Sequence, residues 1–169
     1  MKAGSHTDVF RPTNGWLAGI VLAVLTFWLF AQTLLNVIPV VQDSLGIETT
    51  VANFAVSISS LFAGVFVVIA GGLADRFGRV KMLRAGIILS IIGSLLVALT
   101  PEQAGGITTA MLMGGRIIQG LSSAAVMPAA LALIKNYYEG KERQRAVSFF
   151  SIGTFGGSGT TAFFAVSYT

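Results

Sequence analysis

Between Arg11 and Asp43 the chain carries no acidic or basic residue. The apolar tract inside that interval, Gly15 to about Val41, is longer than the roughly 20 residues a helix needs to cross the hydrocarbon core. It is also too long for a signal-peptide core, and no small-residue cleavage site stands out in it. Four further apolar tracts follow: Val51 to about Ala70, Met82 to about Thr100, Thr108 to Ile134, and Ala146 to Thr169. The pattern predicts an all-α, multi-pass transmembrane bundle of five helices, over about 15–41, 51–73, 82–100, 108–135 and 146–168. A polar tail over 1–14 precedes them, and Pro12 discourages helix there. Pro39 frees backbone groups near the outer end of the first tract.

Composition supports a membrane solvent. The chain is 54% hydrophobic and only 11% charged, against about 25% charged in an ordinary soluble domain. Lipid is therefore the expected surrounding. The net charge of +4 is not a nucleic-acid signal, because the basic residues sit in short segments between apolar tracts. With no cysteine there is no disulfide, no thiolate chemistry and no thiolate-held metal. His6 is the only histidine and lies in the polar tail, so no metal site is expected. No nucleophile–base pair or phosphate loop is present, and the chain does not read as an enzyme.

The charges also predict topology. Every basic residue but Arg116 falls in the tail, the segment between the second and third tracts, or the segment between the fourth and fifth. The two remaining connections hold only Asp43, Glu48 and Glu102 as charged residues. The two sets must lie on opposite faces, and the positive-inside rule puts the N-terminus in the cytoplasm. The densest charged segment is Gly71-Gly72-Leu73-Ala74-Asp75-Arg76-Phe77-Gly78-Arg79-Val80-Lys81-Met82-Leu83. It reads as a tight turn whose glycines let the backbone bend and helix ends approach. Asp75 suits a neighbouring helix N-terminus or an arginine partner.

This segment resembles the loop between helices 2 and 3 of the major facilitator superfamily, with the pattern G-x-L-a-D-r-x-G-r-k-x-x-l. Gly71, Leu73, Asp75, Arg76, Gly78, Arg79 and Leu83 fall on matching positions, and Val80 departs where a second basic residue is usual. The pattern identifies a family, not a substrate. The resemblance implies a conformational-switch loop made by Gly71, Asp75, Arg76, Gly78 and Arg79.

Arg116 is the only charged residue deep inside an apolar tract. Such a residue faces a watery cavity or a partner, or else pairs to hold helices together. Its context, Arg116-Ile117-Ile118-Gln119-Gly120, resembles the family's helix-4 signature R-x-x-Q-G-x-x-x-A. That resemblance implies a proton-transfer role for Arg116, with Gln119 and Gly120 in the same motif; Gln119 can also hydrogen-bond to a facing helix. In the first tract, Phe30-Ala31-Gln32-Thr33-Leu34-Leu35-Asn36-Val37-Ile38-Pro39 is similar to the D-x-T-v-v-N-v-a-l-P stretch of fourteen-helix drug:proton antiporters. Thr33 and Asn36 match, and Pro39 does so one residue early, but Ala31 stands where the acid belongs. The coupling carboxylate then lies beyond residue 169, or the mechanism departs from the family pattern. Gln32 and Asn36, four apart on one face, fit a polar cavity or an interhelical hydrogen bond equally well. Phe27, Trp28 and Phe30 are candidates for a cavity wall, though such residues more often face lipid or pack against neighbours.

Glu142-Arg143-Gln144-Arg145-Ala146 resembles the family's e-R-x-r-A start of helix 5. Glu142, Arg143 and Arg145 are expected to meet the Asp75 turn as an inner charge latch, made in one conformation and broken in the other. The glycines inside the tracts, Gly86, Gly93, Gly114, Gly115, Gly120, Gly153, Gly156, Gly157 and Gly159, are read for the most part as close helix packing. The fifth tract, Gly153-Thr154-Phe155-Gly156-Gly157-Ser158-Gly159, is only weakly similar to the antiporter signature, since Ser158 replaces its proline. Together these phrases look closest to quinolone and multidrug exporters of the staphylococcal Nor type. The resemblance implies the N-terminal portion of a multidrug exporter in a bacterial cytoplasmic membrane, working by alternating access. Amphipathic drugs and protons would be its partners and a proton gradient, with no cofactor, its driving force. The other reading is a truncated remnant that does not transport and acts as a membrane interaction partner.

Overall fold

The computed structural model describes residues 14–36, 38–102 and 104–167; the side chains of 14, 30–36, 39–40, 158 and 160–167 fall outside that description. The helices are α1 Asn14–Asn36, α2 Ile38–Leu45, α3 Thr49–Phe77, α4 Arg79–Ala98, α5 Gly106–Tyr137 and α6 Gly140–Ser167. No strand occurs among the described residues. α3, α4 and α5 are each long and apolar enough to cross a membrane. The multi-pass helical bundle expected from the apolar tracts is the fold that forms.

Two boundaries differ from expectation. The single helix expected over 15–41 is two segments, α1 and α2, on either side of residue 37. Proline has no N–H to give the carbonyl four residues back, so an unbroken helix across position 39 would lose a bond. The charged segments are also far shorter as loops than their composition suggests. α3 runs on through Asp75 and Arg76 to Phe77, and Gly78 alone separates it from α4. The segment Lys135–Arg145, read as a loop, is helical except at Tyr138 and Glu139. Lys, Arg, Glu and Gln are good helix formers, so a helix leaving the membrane keeps its hydrogen-bond ladder in water. Of the polar tail expected over 1–14, only Asn14 is among the described residues, as the first residue of α1.

α5 is the central helix. Of its most apolar window 56% is buried, against 11% in α3 and 22% in α4. α3 and α4 both pack on it, α4 against Gly115 and α3 against Gly120, and small residues set the spacing. A Cβ on Gly93 would lie 2.9 Å from the Gly115 carbonyl oxygen, and one on Gly115 would lie 2.9 Å from that of Gly93. α4 and α5 therefore meet backbone to backbone, and Ser122 Oγ spans the same contact by donating to the Gly86 carbonyl at 2.7 Å. α1 pairs with α6 in the same way: a Cβ on Gly157 would sit 2.8 Å from Trp28 Cβ. One apolar cluster (Leu17, Ile20 and Val24 of α1, Val126 and Leu133 of α5, Phe150 of α6) joins the α1–α6 pair to α5. The expected packing role holds for Gly86, Gly93, Gly115, Gly120, Gly153 and Gly157 but not for Gly114, Gly156 or Gly159, where a Cβ would meet nothing within 4 Å. Outward positions of α3 and α6 stay apolar, with Val68 79% and Phe155 74% exposed, as lipid-facing residues are.

Candidate functional site

Arg116 lies on α5 and is 3% exposed. A guanidinium in that position needs its donors met. Its bonds include Nε to the Ala55 carbonyl at 3.1 Å and Nη2 to Ser59 Oγ at 3.0 Å, both on α3. Nη1 donates to Gln119 Oε1 at 2.7 Å, one turn along α5. Ser59 has a lone pair free for Arg116 because its own proton goes to the Val56 carbonyl at 2.8 Å. Gln119, its oxygen held by Arg116, turns Nε2 toward Ser94 Oγ of α4 at 3.3 Å. The three helices α3, α5 and α4 are thus joined by one polar chain within the apolar bundle. Gly120 lets it close: a Cβ there would strike the Ser59 carbonyl oxygen and lie 2.9 Å from Phe62 Cβ.

The polar chain borders a cleft of about 310 Å³ between α1, α3 and α5. Arg116, Gln119, Ser59, Ser60 and Ser123 supply polar groups, and Phe27 and Trp28 supply aromatic wall. Phe27 and Trp28 also meet edge to face, with ring centroids 5.9 Å apart. Both rings border the cleft and Trp28 also packs against the apolar cluster, while Phe30 falls outside the described side chains. Gln32 and Asn36 lie on the α1 backbone, but their side chains are likewise outside the described residues.

At the charged end of the bundle the contacts of this conformation run within and between α3, α4, α5 and α6. Asp75 pairs with Arg79, four residues on, through Oδ1 and Nη2 at 3.0 Å. Arg79 also donates from Nη1 to the Ala132 carbonyl of α5 at 3.0 Å. Arg143 donates from Nε to the Tyr138 carbonyl at 3.0 Å and from Nη2 to the Lys135 carbonyl at 3.4 Å. Arg143 therefore grips the C-terminal end of α5, where carbonyls lack helical partners and the dipole favours cations, while Arg79 reaches a carbonyl further inside the helix. Among the described residues no hydrogen bond or ion pair joins Asp75 to Glu142, Arg143 or Arg145. Glu142 is near Tyr138 instead: burial first, then the Glu142 charge, raises the Tyr138 hydroxyl pKa above its usual value. Arg145 stacks its guanidinium over the Phe149 ring, 5.5 Å from the centroid. Gly71 stays inside α3, and a Cβ there would meet nothing within 4 Å. The bend belongs to Gly78 alone, with φ 99 and ψ 132. Arg76 is exposed in the last turn of α3.

Ser59, Ser94 and the Ala55 carbonyl were not singled out from the sequence. A signal existed for Ser59, a hydroxyl four residues after Ala55 on the same face of an apolar helix. The carbonyl had none, since every residue carries one.

The fold and this buried polar chain define a multi-pass membrane protein organised around an arginine in its central helix. The chain belongs to the Major Facilitator Superfamily, whose family model matches residues 17–168. It is 53% identical over 157 residues to the quinolone resistance protein NorB of Staphylococcus aureus strains JH9, Newman and JH1. Each match covers 93% of this chain and 33% of the relative. The chain thus spans about a third of the length of these curated relatives.

Proposed function

We propose that this chain is the N-terminal portion of a proton-coupled multidrug exporter that works by alternating access in a bacterial cytoplasmic membrane, with its N-terminus inside. The observation that carries the reading is the buried Arg116, bonded across α3 and α5 beside a cleft with aromatic and hydroxyl walls. An intramembrane charge at such a place is a functional feature by default. Arg116 is the group through which protons pass, and amphipathic drugs are the cargo. The name of the relatives, quinolone resistance protein, supports quinolones as members of that cargo class. The proton gradient is the driving force, and no cofactor takes part. Segregation of the basic residues to one face supports the inside N-terminus.

Inside-out membrane vesicles from bacteria producing the polypeptide that carries this chain provide the test. An imposed proton gradient should drive accumulation of a radiolabelled quinolone, and a protonophore should collapse it. Accumulation that survives the protonophore would overturn proton coupling. No accumulation above vesicles lacking the protein would overturn export altogether.

A further inference from the structure

Arg116 has a long side chain, and its chemistry depends on the position in which its guanidinium is held. Two of its acceptors, the Ala55 carbonyl and Ser59 Oγ, stand one turn apart on α3. Gln119 stands on α5 itself, so that bond moves with Arg116 and does not fix the charge relative to α3. Of the two α3 acceptors, only Ser59 acts through its side chain. Two constraints aim its lone pair. The Ser59 backbone is pressed against α5 at Gly120, where a Cβ would strike the Ser59 carbonyl oxygen. The hydroxyl proton is committed to the Val56 carbonyl at 2.8 Å. Toward Arg116 the oxygen therefore only accepts, and a guanidinium only donates. The whole contact is made between α3 and α5, within this chain.

We infer that Ser59 is the positioning residue for Arg116. It keeps the guanidinium on α3 and out of the adjoining cleft, where Ser60 and Ser123 offer other hydroxyl acceptors. The inference rests on the reading of Arg116 as the group through which protons pass. On that reading the guanidinium must return to one place in each cycle, and Ser59 sets that place. An alanine at 59 withdraws this acceptor from Nη2 and lets the guanidinium turn to the cleft hydroxyls. Drug exchange then continues but no longer obliges a proton to move. A threonine keeps the oxygen, and in a helix its hydroxyl also bonds a carbonyl three or four residues back.

The whole polypeptide that carries this chain, in inside-out membrane vesicles, tests the assignment on two readouts. The first is the ratio of proton-driven accumulation of a radiolabelled quinolone to its exchange without an imposed gradient, in which the amount of folded protein cancels. Ser59→Ala should lower that ratio about tenfold, the worth of one hydrogen bond to a charged group. Ser59→Thr should keep it. The second is labelling of Arg116 by phenylglyoxal, read by peptide mass spectrometry against labelling of the exposed Arg76. Relative labelling should rise in Ser59→Ala and stay at the parent value in Ser59→Thr. It should also stay there in Ser57→Ala, whose exposed side chain lies on another face of α3. A parent without proton-driven accumulation would sink the transport reading alone, and the labelling would then decide where Arg116 is held. Unchanged labelling in Ser59→Ala would overturn the assignment. So would an equal rise in Ser59→Thr or Ser57→Ala, which would mean loosened packing. With a coupled parent, an undiminished ratio in Ser59→Ala would show that transport does not use this position.

Discussion

At the residue scale the decisive choice is an arginine on α5 where a neutral residue would cost less. Arg116 is retained with three neutral acceptors spread over its planar fork, a geometry that a lysine cannot reproduce. Arg116→Lys keeps the charge and leaves part of that acceptor set unmet. The expected cost is about 1–3 kcal/mol of stability, read as a lower unfolding midpoint of the purified protein in detergent. An unchanged midpoint would show that the fork geometry does not matter. Glycine gives a sharper test, because neighbouring glycines on α5 face different surroundings. A Cβ on Gly120 meets backbone of α3, which cannot yield as a flexible side chain does. Gly120→Ala should destabilise by about 1–3 kcal/mol through overpacking. Gly114→Ala meets nothing within 4 Å, so it should be neutral or stabilising by up to about 1 kcal/mol from helix propensity. Similar melting of the two variants would contradict the packing described.

At the element scale the α3–α4 joint is a single residue. Gly78 holds φ 99 and ψ 132, a region that L side chains rarely enter, so Gly78→Ala should cost about 1–3 kcal/mol in backbone strain. Thermal unfolding measured by circular dichroism would register it, and wild-type stability would mean that the joint can adopt another path. Asp75 belongs to the same joint but to a different kind of energy. Its pair with Arg79 is exposed, 67% on the Asp75 side, so Asp75→Asn should change stability by under about 1 kcal/mol. Turnover is where its loss should appear. Asp75 orients Arg79, and Arg79 reaches a carbonyl of α5, the helix that carries Arg116. A switch built there should slow when Asp75 is neutralised, and unchanged drug flux in vesicles would rule it out. The charge pattern pointed to this joint, but not to its partner. In this conformation Arg143 turns to the end of α5 instead, because free carbonyls at a helix end attract cations.

At the scale of the whole molecule, the chain is a triad of α3, α4 and α5 against a pair of α1 and α6. The pair depends on close approach at Gly153 and Gly157, so Gly157→Val, with its Cβ 2.8 Å from Trp28 Cβ, should prise α6 from α1. Crosslinking between cysteines introduced on the facing surfaces of α1 and α6 should then fail, while crosslinks between α4 and α5 persist. Persistent α1–α6 crosslinking would refute that account of the pair. The linear pattern alone determined that the chain is helical and membrane-embedded, which segments are apolar, which connections carry the basic residues, and that Arg116 is the buried charge. Those properties follow from runs of residues and the solvent they require, and need no knowledge of neighbours. Tertiary structure alone decided that α5 is central, that Arg116 bonds to Ser59 and a backbone carbonyl of α3, and that Gly120 rather than Gly114 is a contact. It also decided that Asp75 pairs with Arg79 while Arg143 turns to the carbonyls at the end of α5. A hydrogen bond between residues 57 positions apart has no local signature. It exists because packing small residues together brings two backbones close enough for one side chain to span them.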